Sequence, residues 1–491
     1  MNTAQTQASY RTLWRWHFYA GLFVMPLLIV LAVTGTLYCF KPQLEPLMYP
    51  HLLMVQPQAA SPLDTNLLLA AAQHATPVGS TPISMPVSVP VSVPVLKLAA
   101  HHTNRSTEFI FRFPNGKQYS VYVNPYNAKV LGSLSVSDRF MQVIRMLHRK
   151  LLLGKTGELL MELAACWTLI MIGTGMALWW PRRQQDNGAV RRMELLPRLS
   201  LKGRSFWKSL HAAMGIWLAI GGIAFILTGL PWSGFWGKNF QSLVGMTNLG
   251  APAGVWGDLP FKSGQHGIQG MKDLNQSSSA GAHHHAETMS GMVMDQLSVA
   301  QVPWAVGQLP VPNSAATSAS LPPVSISQIV AKLTALGIKT DYTLALPASP
   351  QGVYTVTYFP ADPKQERTLY IDQYSGKVLH DIGYQDYGAI SKAVSYGTSL
   401  HMGRYFGLAN QIISALISMG LALMALTGAV MWWKRRPAHS LGAPLKDQLA
   451  PPMLGWKIGL VMLGIIFPLM GLSLLVIWAM DWILFQRVVH Q

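Results

Sequence analysis

Cysteine is scarce in this 491-residue chain. There are two, Cys39 and Cys166, both inside apolar runs, so a disulfide framework is not expected. Nor does Cys39 suit lipid attachment, because bulky Leu37 and Tyr38 precede it. Charge is thin as well: 12% of residues are charged while 50% are hydrophobic, and mean hydropathy is positive. That balance argues against a string of soluble domains and for membrane spans. Acidic residues are the scarcer sign, 20 against 37 basic, for a formal net charge of +17. The basic clusters sit at the ends of apolar runs, so they are read as topology signals and no nucleic-acid partner is expected. Several motifs are missing. No G-x-G-x-x-G follows a strand, and neither H-E-x-x-H nor G-x-S-x-G occurs. "GKTGE" (154–158) is not a phosphate loop, since Arg149 stands where the first glycine is required. The chain thus carries no nicotinamide, flavin or hydrolase signature, and no catalytic residue is singled out.

Five runs are long and apolar enough to span a bilayer, at about 17–39, 158–180, 211–234, 409–433 and 456–483. No small-x-small site follows the first, which reads as an uncleaved anchor. The segment between the second and third holds eight Lys/Arg against two acidic residues, and the segment between the fourth and fifth is also basic. The positive-inside rule then puts the N-terminus and both short loops in the cytoplasm, and the long loops and C-terminus in the periplasm of a multi-pass inner-membrane protein. The expected division is 1–40 first span, 41–140 periplasmic module, 141–183 second span, 184–204 loop and 205–236 third span. It continues with 237–390 second module, 391–436 fourth span, 437–454 loop and 455–491 fifth span.

Both long loops contain strand-like pieces. "TEFIFRFPNGKQYSVYVNPYNAKVLGS" is two alternating runs about an Asn-Gly turn, and "GVYTVTYFPADPKQERTLYIDQYSGKVLHD" has the same character. Helices are expected before each, over "LDTNLLLAAAQHA" and "SISQIVAKLTALG", making two α+β modules. "TPISMPVSVPVSVPVLKL" and residues 270–322 read as linkers.

The two halves match each other. "YVNPYNAKVL" (122–131) aligns with "YIDQYSGKVL" (370–379), and "LHRKLLLGKTG" (147–157) with "LHMGRYFGLAN" (400–410). His148 precedes Gly175 by 27 residues, as His401 precedes Gly428. His17, Gly21 and Gly35 match His211, Gly215 and Gly229 at intervals of 4 and 18. Each repeat supplies an outgoing span, a module and a returning span, so the pseudo-two-fold axis is expected along the membrane normal. The fold class is therefore a membrane α-helical protein of five spans in a tandem pseudo-two-fold repeat with two periplasmic α+β modules.

The Y-x-[ND]-x-Y-x-[AG]-K-V-L pieces, the W-x-x-H start and the T-G…W-W-x-R-R ends resemble the PepSY-associated transmembrane family. The resemblance covers nearly the whole chain except the linkers and the last span. It implies a bacterial inner-membrane protein with PepSY-like modules, similar to iron-regulated members that include haem-containing ferric-siderophore reductases.

Of 15 histidines, His17, His148, His211 and His401 lie on or at the ends of spans. An interfacial histidine is the bland reading of any one; four at duplicated positions favour ligation, since neutral imidazole is a common axial ligand of haem iron. Depth pairs His17 with His211 near the cytoplasmic face and His148 with His401 near the periplasmic face, each pair flanking one haem b. Gly21 and Gly215 lie on the same helix face as their histidines, leaving room for a flat macrocycle or for close helix packing. One difficulty is length: an unbroken helix from His148 to Trp179 would run more than about 40 Å. A break at Gly154 or Gly157 relieves it, and Trp167 or Trp217 is expected between the haems. The insertion "HHHAETMSGMVMD" offers His283, His284, His285, Met289, Met292 and Met294, ligands that suit copper, although a polar linker is the competing reading.

The function expected is outward electron transfer that reduces a periplasmic ferric complex, a ferric siderophore being the first candidate. Lacking its own hydride cofactor, the protein needs an external donor, a cytoplasmic flavoprotein or quinol. The alternatives are a copper-handling protein using the insertion and a non-enzymatic module protein that binds a periplasmic partner. Tyr122, Tyr126, Tyr370 and Tyr374 are either surface contacts for substrate or core.

Overall fold

Inside hydrocarbon every backbone N–H and C=O must be satisfied within its own segment, so long apolar runs fold as helices. In the computed structural model the described residues are 3–87, 104–180, 195–247, 249–250, 302–307, 309–314, 322–437, 442 and 453–486. The elements run α1 (Thr3–Cys39), α2 (Lys41–Met48), α3 (Pro50–Leu53), α4 (Thr65–His74), β1 (Thr81–Val87), β2 (Thr107–Arg112), β3 (Gln118–Val123) and β4 (Val130–Ser135). Next come α5 (Phe140–Lys150), α6 (Gly154–Trp179), α7 (Gly203–Gly229), α8 (Trp236–Gly245), α9 (Ile326–Ala335) and β5 (Tyr342–Ala345). The chain ends with β6 (Val353–Tyr358), β7 (Arg367–Asp372), β8 (Val378–Gly383), α10 (Ala389–His401), α11 (Leu408–Arg435), α12 (Leu454–Ile466) and α13 (Pro468–Gln486). Two units are formed: Met1–Phe40, Val143–Gln241 and Leu400–Gln491 make the helical one, and Lys41–Gln142 and Ser242–Ser399 the other.

The helical unit has membrane character. Four of the described helices are long and apolar enough to cross a bilayer, Gln7–Cys39, Gly154–Trp179, Gly203–Trp232 and Leu408–Arg435. α1 packs on α6 and α11, and α7 packs on the same two, closing a ring of four. Val24, Leu28, Leu421, Met424 and Ala425 form its buried centre. Both cysteines are buried and free.

The run 456–483, expected as one further span, is divided into α12 and α13. Pro468 stands at the first position of α13, where its missing N–H is tolerated, but its ring cannot continue the preceding helix. Gly464 and Gly471 close the joint: a Cβ on Gly471 would lie 2.5 Å from the Gly464 carbonyl oxygen. Phe467 and Met470 there bury themselves against Cys166, Ile170, Ile226 and Leu230.

A second break separates α5 from α6. Leu151 and Leu152 take left-handed backbone angles (φ 50° and 59°), followed by Gly154 at 59°. The Lys150 carbonyl occupies the place a Cβ of residue 157 would need, so Gly157 is required for the chain to double back. The corresponding joint between α10 and α11 uses Gly403 (φ 72°) and Gly407 (φ 57°). These breaks remove the length difficulty, because His148 and His401 do not sit on the long helices that follow them.

The other unit is built on one antiparallel sheet of eight strands in the order β4-β3-β2-β1-β5-β6-β7-β8. Two separate modules were expected; instead β1 and β5 pair, from Ser84↔Ala345 to Val87↔Tyr342, and the sheet is continuous. That pairing also corrects the linker reading of "TPISMPV", which is the central strand β1. Its prolines hide the pattern from sequence inspection, and a register shift between Pro82 and Ser84 accommodates one of them. α4 and α9 cover one face, where Leu68, Ala72, Ile329 and Leu333 meet Phe109, Phe111, Val121, Leu344, Val356 and Leu369. Asp64 caps α4 and Ser325, with Gln328, makes a capping box on α9. On the opposite face Tyr122 packs on Leu52 and Leu53, and Tyr370 on Val306, Leu309 and Tyr387. Of the four tyrosines, Tyr122, Tyr126 and Tyr370 are therefore core residues, while the Tyr374 hydroxyl donates to the Pro350 carbonyl.

Candidate functional site

Each of the four span-associated histidines is held by a threonine from a neighbouring helix. His17 Nδ1 lies 3.1 Å from Thr174 Oγ1 and 3.1 Å from the Met171 carbonyl. His211 Nδ1 lies 2.8 Å from Thr427 Oγ1 and 3.2 Å from the Met424 carbonyl. His148 Nδ1 is 2.9 Å from Thr34 Oγ1 and also meets the Leu31 carbonyl. His401 Nδ1 is 2.9 Å from Thr228 Oγ1 and meets the Phe225 carbonyl. In every case the carbonyl belongs to the residue three before the threonine.

This arrangement fixes the imidazole tautomer. A threonine hydroxyl has one hydrogen, and here it goes to a carbonyl of its own helix: Thr34 to Val30 (2.5 Å), Thr174 to Ile170 (2.7 Å), Thr228 to Ala224 (2.7 Å) and Thr427 to Met424 (2.7 Å). The threonine oxygen can then only accept from the ring, as the nearby carbonyl must. Nδ1 therefore carries a proton, and in the neutral ring Nε2 keeps its lone pair. A neutral imidazole with its Nδ1–H tied to the protein is the form that ligates a metal, and the tie orients the ring.

The residue after each threonine is glycine, and at Gly35, Gly175 and Gly229 it clears space beside the ring that a Cβ would crowd. A Cβ at Gly35 would lie 3.3 Å from His148 Cε1, at Gly175 3.1 Å from His17 Cε1, at Gly229 3.2 Å from His401 Cε1 and at Gly428 3.7 Å from His211 Cε1. The Thr-Gly pairs, visible in the sequence as repeat markers, are thus histidine sockets. Sequence reasoning missed this because socket and histidine lie on different helices; the signal was a threonine directly before each duplicated glycine.

The structure brings His17 and His211 together with ring centroids 6.2 Å apart and planes at 83°. Two imidazoles on opposite sides of one metal ion would have centroids roughly 6 Å apart, given a metal–nitrogen bond of about 2 Å and a further 1 Å or so to each ring centre. His148 and His401 lie within electrostatic reach of each other, and the Phe225 ring stands edge-on to His401 at 5.3 Å. Among the described residues no three His, Cys, Asp or Glu side chains converge on one point. Two imidazoles suffice where a flat macrocycle supplies the remaining donors.

Room for such a group exists. A cavity of about 420 Å³ is lined by His17, His211, Gly21, Gly215, Met171 and Met424, together with Trp14, Arg204 and Arg435. That is within the usual range of about 300–1,000 Å³ for cofactor pockets. A Cβ at Gly21 would meet only Met171 Sδ, at 3.9 Å, and one at Gly215 only Met424 Sδ, at 3.6 Å. The two glycines thus face a thioether and open space, not another helix backbone. Trp167 and Phe225 pack against the apolar core around Val24 and Leu421. Trp217 does not, being 64% exposed with its indole N–H on the Leu195 carbonyl; it is not an intermediate between the histidine pairs. The insertion with His283, His284, His285, Met289, Met292 and Met294 lies outside the described residues.

Two acidic residues on α6 are also buried. Glu162 accepts from the backbone N–H of Phe235 (2.9 Å) and Trp236 (3.1 Å) at the start of α8, and Glu158 faces Lys150 and Lys155 at 3.9 and 3.7 Å. Both have structural partners.

A family model described as PepSY-associated TM region matches residues 14–435, a stretch that contains all four histidines and their sockets. No curated protein matches the chain.

Proposed function

The chain belongs to the PepSY-associated transmembrane family, and from that premise we propose that it is a haem-containing electron-transfer protein that reduces a ferric complex, a ferric siderophore being the first candidate. The observation that supports this reading is the His17–His211 pair, each Nδ1 tied to a threonine and the ring centroids 6.2 Å apart, a separation that one iron between two imidazoles would match. When bound, haem supplies one-electron chemistry between ferric and ferrous iron. The chain's own residues do the rest. Thr174, Thr427 and the Met171 and Met424 carbonyls orient the two rings and hold the proton on Nδ1. Thr34 and Thr228 do the same for His148 and His401, which would hold the second group. Gly21 and Gly215 leave the faces of the cavity open, and Phe225, Trp167 and the apolar core around them exclude water.

Orientation follows from the basic loops. With the N-terminus and short loops cytoplasmic, His17 and His211 face the donor and His148 and His401 face the periplasm. By the same rule the two long loops, 41–140 and 237–390, face the side where the ferric complex arrives. An external donor, a cytoplasmic flavoprotein or quinol, supplies the electrons.

The absorption spectrum of the purified full chain, oxidised and then reduced, tests the reading. A reducible low-spin bis-histidine b-type spectrum is expected. His17→Ala and His211→Ala should remove one component, and His148→Ala and His401→Ala another. Purified protein that takes up no haem under conditions of haem sufficiency would sink the proposal.

A further inference from the structure

The offset of 194 residues that relates His17 to His211 also relates Tyr10 to Arg204, Trp14 to Lys208 and Gly21 to Gly215. On α7 the residues Arg204, Lys208, His211 and Gly215 are spaced i, i+4, i+7 and i+11, one stripe of the helix. All four line the cavity, as do Tyr10, Trp14, His17 and Gly21 on α1. The two stripes match at the histidine and the glycine and differ beyond them, where α1 is aromatic and α7 is cationic. The cavity therefore has a mouth with two unlike walls.

A third cation reaches that mouth from the end of α11. The Arg435 guanidinium lies 4.5 Å from the Trp14 ring centre and 5.3 Å from that of Phe18, and is close enough to Arg204 for the like charges to repel. Gathering cations at the rim of an apolar cavity is unfavourable alone and becomes favourable when an anion sits among them. We propose that Arg204, Lys208 and Arg435 form a subsite for the paired carboxylates of the macrocycle held between His17 and His211, an inference that rests on the haem reading above. The apolar edge of the group then lies inward, against Met25, Leu28 and Leu421.

The test compares ligands before it compares variants. Full-length protein produced without haem is titrated in detergent with protohaem and with its dimethyl ester, which keeps the iron and ring but lacks the charges. The native chain is expected to bind the diacid at least about tenfold more tightly. The variant Arg204→Gln/Lys208→Gln/Arg435→Gln is expected to bind both forms with similar affinity, near that of the native chain for the ester. Equal affinity of the native chain for diacid and diester overturns the subsite, while a bis-imidazole spectrum with either form leaves the haem reading standing. Should neither form give that spectrum, the haem reading falls and the subsite with it. If the cations instead serve lipid phosphates, diacid and diester bind alike and the melting temperature rises with the anionic lipid content of the micelle; that result also overturns the proposal. The comparison on native protein needs no variant to fold.

Discussion

Gly175 and Gly428 hold matching places in the two halves and face the two histidines of one pair, yet they leave different clearances. A Cβ at Gly175 would lie 3.1 Å from His17 Cε1 and 3.6 Å from its Nδ1, whereas at Gly428 the nearest atom is His211 Cε1 at 3.7 Å. Alanine in a helix interior is favoured over glycine by roughly 0.5–1 kcal/mol. At Gly428 nothing opposes that gain, so Gly428→Ala should stabilise the full chain by about that amount. At Gly175 the His17 ring must retreat by a few tenths of an ångström against its contacts with Thr174 and the Met171 carbonyl. Overpacking of this kind costs about 1–3 kcal/mol, which leaves Gly175→Ala neutral to destabilised by roughly 2 kcal/mol once the helix gain is subtracted. The two variants should therefore differ by about 1–3 kcal/mol, and, with haem bound as proposed above, only Gly175→Ala should disturb its spectrum. Chemical unfolding of the full chain in detergent, followed by tryptophan fluorescence, measures the first quantity, and absorption of the same samples the second. Equal shifts, or the reverse order, would refute the argument that ring clearance is what these glycines provide.

Two further outcomes are expected. Glu162→Gln removes the charge that caps α8 through Phe235 and Trp236 and should lower stability by roughly 0.5–2 kcal/mol in the same unfolding assay; an unchanged midpoint would show that the cap contributes nothing. In the sheet unit, burial pushes the Tyr342 hydroxyl up to about 12 from its ordinary 10, and burial raises Tyr122 and Tyr370 as well. Folding favours the neutral phenol, so this stability is fully present below pH 10 and is lost as pH rises toward 12. Tyrosinate absorbance from these residues should therefore appear together with unfolding, and titration near pH 10 in a chain that stays folded would contradict the burial argument.

The sequence made some of this legible and hid the rest for physical reasons. Long apolar runs show themselves, and so do histidines repeated at fixed intervals, because composition and spacing are written along one strand of chain. The helix expected before each strand group is present as α4 (Thr65–His74) and α9 (Ile326–Ala335), each with its capping residue in view. What stayed hidden involves contacts between segments. Thr174 says nothing about His17 until α6 is laid beside α1, and "TPISMPV" reads as a proline-rich linker until β5, from the other half, supplies its partner. Helix breaks were half visible: glycine marked Gly154 and Gly157, but Leu151 and Leu152 in left-handed conformation carry no sequence sign. Trp217 misled because tryptophan in a span is equally at home facing lipid or core. The apolar run at the C-terminal end misled through its continuity, since a single proline, Pro468, divides it.

The pairing of β1 with β5 bears on how the chain is made. Between Val87 and Tyr342, partners in the sheet, a ribosome adding about 5–20 residues per second needs roughly 13–50 s. From Ser135 onward, the greater part of that interval, the first four strands are complete but β1 lies open along its length, while two membrane helices are still being inserted. An unpaired strand edge invites association with other chains. Synthesis therefore passes through a period in which the half-made sheet needs a chaperone or shelter, and conditions that slow translation between the halves should raise the yield of aggregated protein more than the same delay imposed after β5.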